Sequence, residues 1–203
     1  MTHFFSGSDQ QKLEHWEHKL GHKACSHALL EKWIFVRAAG VLFAKKTGEL
    51  IIMKKNLFGL NARTCKEITA SFCSSWNLEH RLLYDSGHSL KIILFHAADV
   101  DRRIDAASKK ILHCVLKYPF GIDSATFLAE VATRWHVSGS IPHEIGIALG
   151  YPMKDVWGFM GITSEPCSGS CGWRIFGDPE PSLKKKLRYE RARALASRYI
   201  QAA

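Results

Sequence analysis

The sequence predicts an α+β domain, because strand-like runs are concentrated in its first half and helical spacings in its second half. The tetrapeptides Lys-Lys-Thr-Gly and Asp-Ser-Gly-His each separate two β-rich runs, which indicates two hairpins. The first hairpin would join residues 34–44 to 49–54, and the second would join residues 81–84 to 90–95. We therefore expect a small, mainly antiparallel sheet packed against a helical second half.

Capping residues predict where the helices begin. Ser8 can cap a helix that runs to residues 19–22, and Asn61 can cap one that ends near residue 76. Asp99 opens a helix whose apolar residues repeat at helical spacing as far as residue 115. Asp123 or Ser124 caps the next helix.

Residues 141–178 predict two short helices joined by a tight corner. Pro142 suits the first turn of a helix, and Gly150 suits a left-handed stop. Pro152 then restarts a helix of about two turns that Gly161 ends. A loop over residues 162–172 and a short strand over 173–176 follow.

The terminal helix carries much of the positive charge of the chain. The net charge is +9 and the pI is about 9.3, which favours an acidic partner such as nucleic acid, an anionic membrane surface or an acidic protein. Ser182 would cap this helix, and Leu183, Leu187, Leu195 and Tyr199 would form its buried stripe. Its candidate partner-binding cations are Lys184, Lys185, Lys186, Arg188 and Arg191.

Composition predicts a cytoplasmic protein. The first residues lack the basic-then-apolar pattern of an export signal, and no apolar run approaches the roughly 20 residues of a membrane span. The six cysteines are then expected to be free thiols. We expect a His-rich helical extension over residues 1–30 and a single α+β domain over residues 31–203.

Two groups of residues are candidate metal ligands. His15, His18 and His22 would lie on the solvent face of the first helix, where a solvated polar surface is the alternative interpretation. Cys167 and Cys171 could share a metal or form a disulfide, with His143 as a further ligand. The alternative is that the two cysteines are ordinary loop residues.

Residues 141–160 also have the spacing of a DNA-binding helix-turn-helix. Gly146, Gly150 and Val156 occupy the positions of the small, turn and β-branched residues of that motif. The second helix, however, offers Met153, Lys154 and Trp157 outward, and these are not the side chains that read base edges. Nucleic acid is therefore a possible but disfavoured partner.

The same stretch carries a family resemblance. Its signature comprises His-Glu-Ile-Gly from residue 143, Leu-Gly-Tyr-Pro from residue 149, Asp155-Val156, Gly158-Phe159, a Cys-Gly-Trp strand and Gly177-Asp178. This signature resembles the uncharacterised bacterial family catalogued as domain of unknown function 3793 (DUF3793), and the similarity extends over most of the chain. The resemblance implies an anaerobic bacterial source and iron-limitation gene neighbourhoods that include flavodoxins, but no activity or cofactor. Its candidate functional residues are His143, Glu144, Tyr151, Trp157 and Trp173.

Three hypotheses about function follow. The favoured one is a non-catalytic binding or adaptor protein whose basic surface meets an acidic partner, for which the resemblance implies a flavodoxin-like protein and a link to iron or redox metabolism. The alternatives are a DNA-binding regulator that uses residues 141–160, and a metal- or thiol-dependent protein that uses Cys167, Cys171 and His143. We identify no combination of nucleophile, base and orienting group that indicates an enzyme.

Overall fold

The computed structural model describes residues 7–202. In chain order, its elements are α1 (Gly7–Gly21), α2 (Cys25–Phe43), β1 (Gly48–Lys54), α3 (Ala62–Ser75), β2 (Glu79–Asp85), β3 (Ser89–Phe95), α4 (Ala97–Ala106), α5 (Ser124–Ser138), α6 (Met153–Phe159), β4 (Cys167–Ser170), β5 (Arg174–Phe176) and α7 (Glu180–Ala202). Short 3₁₀ helices lie at Leu57–Gly59 and His143–Gly146, and a π-helical turn lies at Ile111–Val115. The α+β prediction is confirmed.

A three-stranded antiparallel sheet separates two hydrophobic cores. β3 is its central strand, with β1 on one side and β2 on the other. Because successive side chains of a strand point to opposite faces, Leu90 and Ile92 enter one core while Ile93 and Phe95 enter the other. The first core is covered by α1, α2, α3 and α7, and the second by α4, α5 and residues 141–157. Helices therefore pack on both faces of the sheet.

The first predicted hairpin is wrong, whereas the second is confirmed. Residues 34–43 continue α2, and β1 pairs with β3 rather than with the segment before it. Helix α2 is buried deeply around Leu30, Ile34 and Phe35, so its sequence lacks the polar stripe that normally distinguishes a surface helix from a strand. The second hairpin is formed by β2 and β3.

Two of the predicted helix caps, those of α3 and α5, are confirmed. Asn61 Oδ1 accepts a hydrogen bond from the Thr64 amide at 2.9 Å, and Asp123 Oδ1 accepts one from the Thr126 amide at 2.7 Å. Asp99 lies in the first turn of α4, but this helix ends at Ala106 and does not continue to residue 115. Helix α1 begins at Gly7, one residue before the predicted cap Ser8, whose side chain lies outside the described residues.

Helix α1 packs against the first core. The Trp16 indole stacks on the Phe35 ring at a centroid distance of 4.6 Å, and its Nε1 donates to Glu31 Oε2 at 3.2 Å. Leu13 and Leu20 are buried beside it. The division of the chain at residue 30 stays a prediction.

The buried stripe predicted for α7 is wrong at Leu183 and Leu187, whereas Tyr199 packs against the first core as predicted. Leu183 and Leu187 are 49% and 48% exposed, whereas the small residues Ala192 and Ala196 face α2 with Tyr189. Small side chains let the two helix backbones approach closely, so the bulky leucines are left on the outside. None of the helices within residues 7–202 has the length and apolar character needed to cross a membrane.

Candidate functional site

The corner predicted within residues 141–161 is present, but its first helix is shorter than expected. Residues 143–146 form a 3₁₀ helix, in which the Ile145 amide bonds the Pro142 carbonyl at 3.2 Å. Gly150 then adopts the left-handed region with φ +77°, and a Cβ there would lie 2.7 Å from Thr47 Oγ1. The corner therefore packs directly on the segment that leads into β1, which explains why the chain turns at this glycine.

The predicted loop over residues 162–172 is partly wrong, because residues 167–170 form β4. This strand pairs antiparallel with β5, and Cys167 lies opposite Phe176. The Cys171 amide donates to the Trp173 carbonyl at 2.9 Å, which closes the turn of the hairpin. The hairpin holds Trp173 beside the corner.

Asp155 joins the corner, the hairpin and α7. Its Oδ1 accepts hydrogen bonds from Lys154 Nζ at 2.7 Å and from the Phe176 amide at 3.0 Å. Its Oδ2 accepts from Trp173 Nε1 at 2.8 Å and from Ser182 Oγ at 2.5 Å. Burial alone would raise the pKa of this carboxyl, but the donors outweigh it and lower the pKa below its ordinary value. Asp155 is thus a buried, charged junction that fixes the Trp173 ring.

Ser182 contributes to this junction instead of capping α7 as predicted. Helix α7 begins at Glu180, whose amide donates to Asp178 Oδ1 at 3.0 Å. The capping oxygen is therefore supplied by the aspartate before the helix, which the sequence analysis did not identify.

The corner and the hairpin enclose a cavity of about 410 Å³, which we call the motif cleft. Its apolar wall is formed by Leu50, Ile141, Pro142, Ile145, Leu149 and Val156. Tyr151 and Trp173 stack at a centroid distance of 4.4 Å and an interplanar angle of 16°, and both rings line the cleft. Burial, with a smaller contribution from Glu49, raises the pKa of Tyr151 to about 12, so its hydroxyl stays protonated at neutral pH.

Charged side chains lie at the floor of the motif cleft. Glu49 is 8% exposed, its Oε2 is paired with Lys46 Nζ, and its Oε1 accepts a hydrogen bond from the Arg193 guanidinium at 3.0 Å. Beyond Tyr151 and Trp173 the floor continues into a smaller polar recess of about 170 Å³.

Two cationic or polar side chains meet an aromatic ring at the mouth of the motif cleft. The His143 ring contacts the Phe159 ring edge-on at a centroid distance of 4.6 Å. The Arg174 guanidinium lies over the Phe159 ring, 5.8 Å from its centroid. Phe159 is 43% exposed, so an apolar surface is accessible between the two polar groups.

All the residues that line the cleft lie within the part of the chain that matches a protein-family profile. The profile described as "Protein of unknown function (DUF3793)" matches residues 34–203, which include every residue that lines the motif cleft. The chain belongs to this family. No curated protein and no solved structure matches the chain.

The structure brings together three of the five candidate motif residues of this DUF3793 protein. His143, Tyr151 and Trp173 line the motif cleft. Glu144 points elsewhere, since its Oε1 accepts hydrogen bonds from Tyr118 Oη at 3.1 Å and from Arg134 at 2.9 Å. Trp157 is 7% exposed and packs in the second core. The last two residues thus support the corner without lining the cleft.

The predicted metal ligands of the DUF3793 protein do not form a cluster. His15 and His18 are exposed on α1, whereas His22 lies exposed in the turn just after this helix; the rings of His18 and His22 are 5.0 Å apart. Cys167 is exposed in β4, Cys171 lies in the turn, and both are free thiols. Within residues 7–202, no three His, Cys, Asp or Glu side chains are placed to hold a metal ion.

Two of the predicted partner-binding cations of the DUF3793 protein form ion pairs within α7. Lys184 pairs with Glu180 at 2.6 Å, and Lys186 pairs with Glu190 at 3.1 Å. Burial, together with the nearby Arg103 and Arg188, lowers the pKa of Lys185. Lys184, Arg188 and Arg191 are exposed, whereas Lys185 and Lys186 are half-buried.

Sequence reasoning missed Lys46, Glu49 and Arg193 as site residues. In the predicted first hairpin, Lys46 lies in the turn and Glu49 begins the strand after it. Arg193 is separated from Glu49 by 144 residues, so no local pattern links them. The acidic residue Glu49 at the start of a predicted strand is the one local feature of the sequence that could have indicated the site.

Proposed function

We propose that this protein is a binding protein and that the motif cleft holds a small, largely apolar organic ligand. The supporting observation is that family-signature residues from the 3₁₀ helix, the corner and the hairpin meet at a single cavity. The DUF3793 signature is then explained by a shared site as well as by packing.

The dimensions and composition of the cleft support this proposal. Ligand pockets in proteins measure roughly 300–1,000 Å³ and combine apolar walls with a few polar groups. The motif cleft, at about 410 Å³, has aliphatic walls, one aromatic stack and a charged floor. The Asp155 junction holds Trp173 in place, so the cleft is formed before a ligand enters.

Titration with phenylnaphthylamine, a neutral dye that fluoresces in apolar surroundings, tests the proposal. Ile141 is half-buried at the cleft wall, so Ile141→Trp should occupy the space and weaken dye binding at least about tenfold. Val137→Trp is the matched control, because Val137 is 84% exposed and does not line the motif cleft. Equal affinity in Ile141→Trp and the wild type, or the lack of saturable binding, would contradict the proposal.

We also propose an acidic protein partner for the outer face of α7. Lys184, Arg188 and Arg191 recur at i, i+4 and i+7 and are all exposed, so they form one cationic row on the helix. Such a row accelerates association with an acidic surface through electrostatic steering. A flavodoxin-like protein is the proposed partner, in keeping with a role in iron or redox metabolism.

Calorimetric titration with an acidic flavodoxin-like protein at low salt tests this second proposal. A variant in which the three cations of the row are replaced by glutamate should lose binding. The control carries the same charge change at three exposed lysines elsewhere, Lys109, Lys110 and Lys117. If both variants bind equally, the row is not the docking surface.

We propose a cytoplasmic location, which suits the free thiols of this chain. All six cysteines are unpaired, and thiols persist in reducing compartments. DNA binding by residues 141–160 and a thiol or metal role for Cys167 and Cys171 stay predictions.

A further inference from the structure

The charges around the motif cleft are unequal. The charged side chains that line it are Lys46, Glu49, Asp155 and Arg174, and the ion-pair partners of the two carboxylates add Lys154 and Arg193. Both oxygens of each carboxylate are already occupied by donors. These four cations and two carboxylates together carry a net charge of +2.

Donors also outnumber acceptors in the cleft. A lysine ammonium has three N–H donors and an arginine guanidinium has five, whereas Lys46 and Arg193 each use one of them on Glu49. Within the described part of the chain, Arg174 forms no ion pair. The cleft can thus satisfy a ligand that brings acceptor atoms and negative charge, whereas a cationic ligand would meet repulsion.

The apolar wall restricts what this anion can be. Free phosphate or another small inorganic anion would leave the aliphatic wall and the Tyr151–Trp173 stack without contacts. An aromatic body can pack against the exposed edges of this stack and against Phe159. Its acidic group would then lie at the mouth, where the Arg174 guanidinium is free to bind it.

We infer that the ligand of the motif cleft is an organic anion with a flat apolar body, and that Arg174 binds its acidic group. This inference rests on the proposed function of the cleft. It goes beyond that function by assigning the charge of the ligand and the side chain that selects it.

Two dyes that share one body separate charge from shape. Anilinonaphthalene sulfonate carries an anionic group, whereas phenylnaphthylamine has almost the same aromatic body without it. Arg174→Gln should weaken binding of the sulfonate by about tenfold, because it removes a charge-assisted contact, and should leave the neutral dye within about twofold. In the wild type, about 0.5 M NaCl should weaken binding of the sulfonate dye but not binding of the neutral dye.

Arg63→Gln is the matched control for net charge. Its side chain is 89% exposed on α3, so it changes the charge of the protein equally without touching the cleft. Sulfonate binding that is unchanged in Arg174→Gln, or reduced equally in Arg63→Gln, would overturn the inference.

The two dyes also separate this inference from the proposed function. If the neutral dye binds and Ile141→Trp excludes it, but Arg174→Gln leaves the affinity for the sulfonate dye unchanged, the cleft is a ligand site without selectivity for anions. If neither dye binds saturably, the proposed function fails together with the inference.

Discussion

Asp155→Asn is the substitution whose effect the structure defines most sharply. The native carboxylate is 2% exposed and accepts four hydrogen bonds, two at each oxygen. Asparagine keeps the size of the side chain but has one amide oxygen and one NH₂ group. Whichever way the amide is turned, its NH₂ group faces at least one group that can only donate: Lys154 and the Phe176 amide in one orientation, or Trp173 Nε1 in the other.

The expected loss is about 3 kcal/mol of unfolding free energy. Each hydrogen bond to a charged group contributes roughly 1.5–3 kcal/mol, and removing one partner of a buried ion pair costs about 3–5 kcal/mol. The lower end applies here, because the Lys154 side chain is 26% exposed and can turn to water. Since domains are stable by roughly 5–15 kcal/mol, the variant should still fold.

Urea unfolding followed by far-ultraviolet circular dichroism measures this loss. Asp105→Asn is the control, because its side chain is 77% exposed and forms a surface ion pair with Lys109. This control should lose less than about 1 kcal/mol. A loss below about 1 kcal/mol in Asp155→Asn, with an unchanged dependence on urea, would refute the role of Asp155 as a charged junction.

Acid should reduce the difference between Asp155→Asn and the wild type. The pKa of Asp155 is lowered in the folded state, so its contribution is complete above the ordinary carboxyl pKa of about 4. The contribution is lost as pH falls through the lowered value, because the unfolded state then binds the proton more readily. A difference that stays constant down to pH of about 2 would contradict this assignment.

Three further changes test packing and burial. Tyr189→Phe should change the free energy of unfolding in urea by less than about 1 kcal/mol, because the buried Tyr189 Oη has no partner in good hydrogen-bond geometry within residues 7–202, although the Arg188 guanidinium lies beside its ring; a larger loss would contradict this. Gly158→Ala should cost about 1–3 kcal/mol of unfolding free energy, since its Cβ would lie 2.3 Å from the Phe176 ring of β5, whereas a Cβ at Gly21 has no other described part of the chain within 4 Å and Gly21→Ala should be near neutral. Iodoacetamide at neutral pH should label the exposed Cys114 long before Cys73, because burial and then Glu79 raise the pKa of Cys73 to about 12; mass spectrometry showing equal labelling would refute this.

Local chemistry was predictable from the sequence. Asn61 and Asp123 each cap a helix with a side-chain oxygen three residues before the amide that it binds, so the spacing alone identifies them. Gly150 was predicted to stop the corner because only glycine adopts its left-handed conformation at low cost.

Tertiary packing was not predictable in the same way. Helix α2 was mistaken in part for a strand, because its buried surroundings remove the polar stripe by which a helix is recognised. β4 has the sequence Cys-Ser-Gly-Ser, which has little strand propensity and forms a strand only through its pairing with β5.

The candidate site was predicted only where its residues are close in sequence. His143, Tyr151 and Trp173 belong to one signature, so their proximity was a reasonable expectation. The floor was missed because Arg193 reaches Glu49 from the far end of the chain. The net charge of the chain predicted a basic surface for an acidic partner. It could not predict a group of cations at a cleft, because these cations come from distant parts of the sequence.

The tryptophan indole signals provide the most direct test that the motif cleft is the ligand site. The chain has six tryptophans, and a nitrogen–proton correlation spectrum reports each indole separately. Titration with anilinonaphthalene sulfonate should shift the signal of Trp173, assigned with a Trp173→Phe variant, and leave Trp16 and Trp76 of the first core unchanged. Saturable binding that leaves Trp173 unmoved, or that shifts the first-core indoles instead, would contradict a ligand site in the motif cleft.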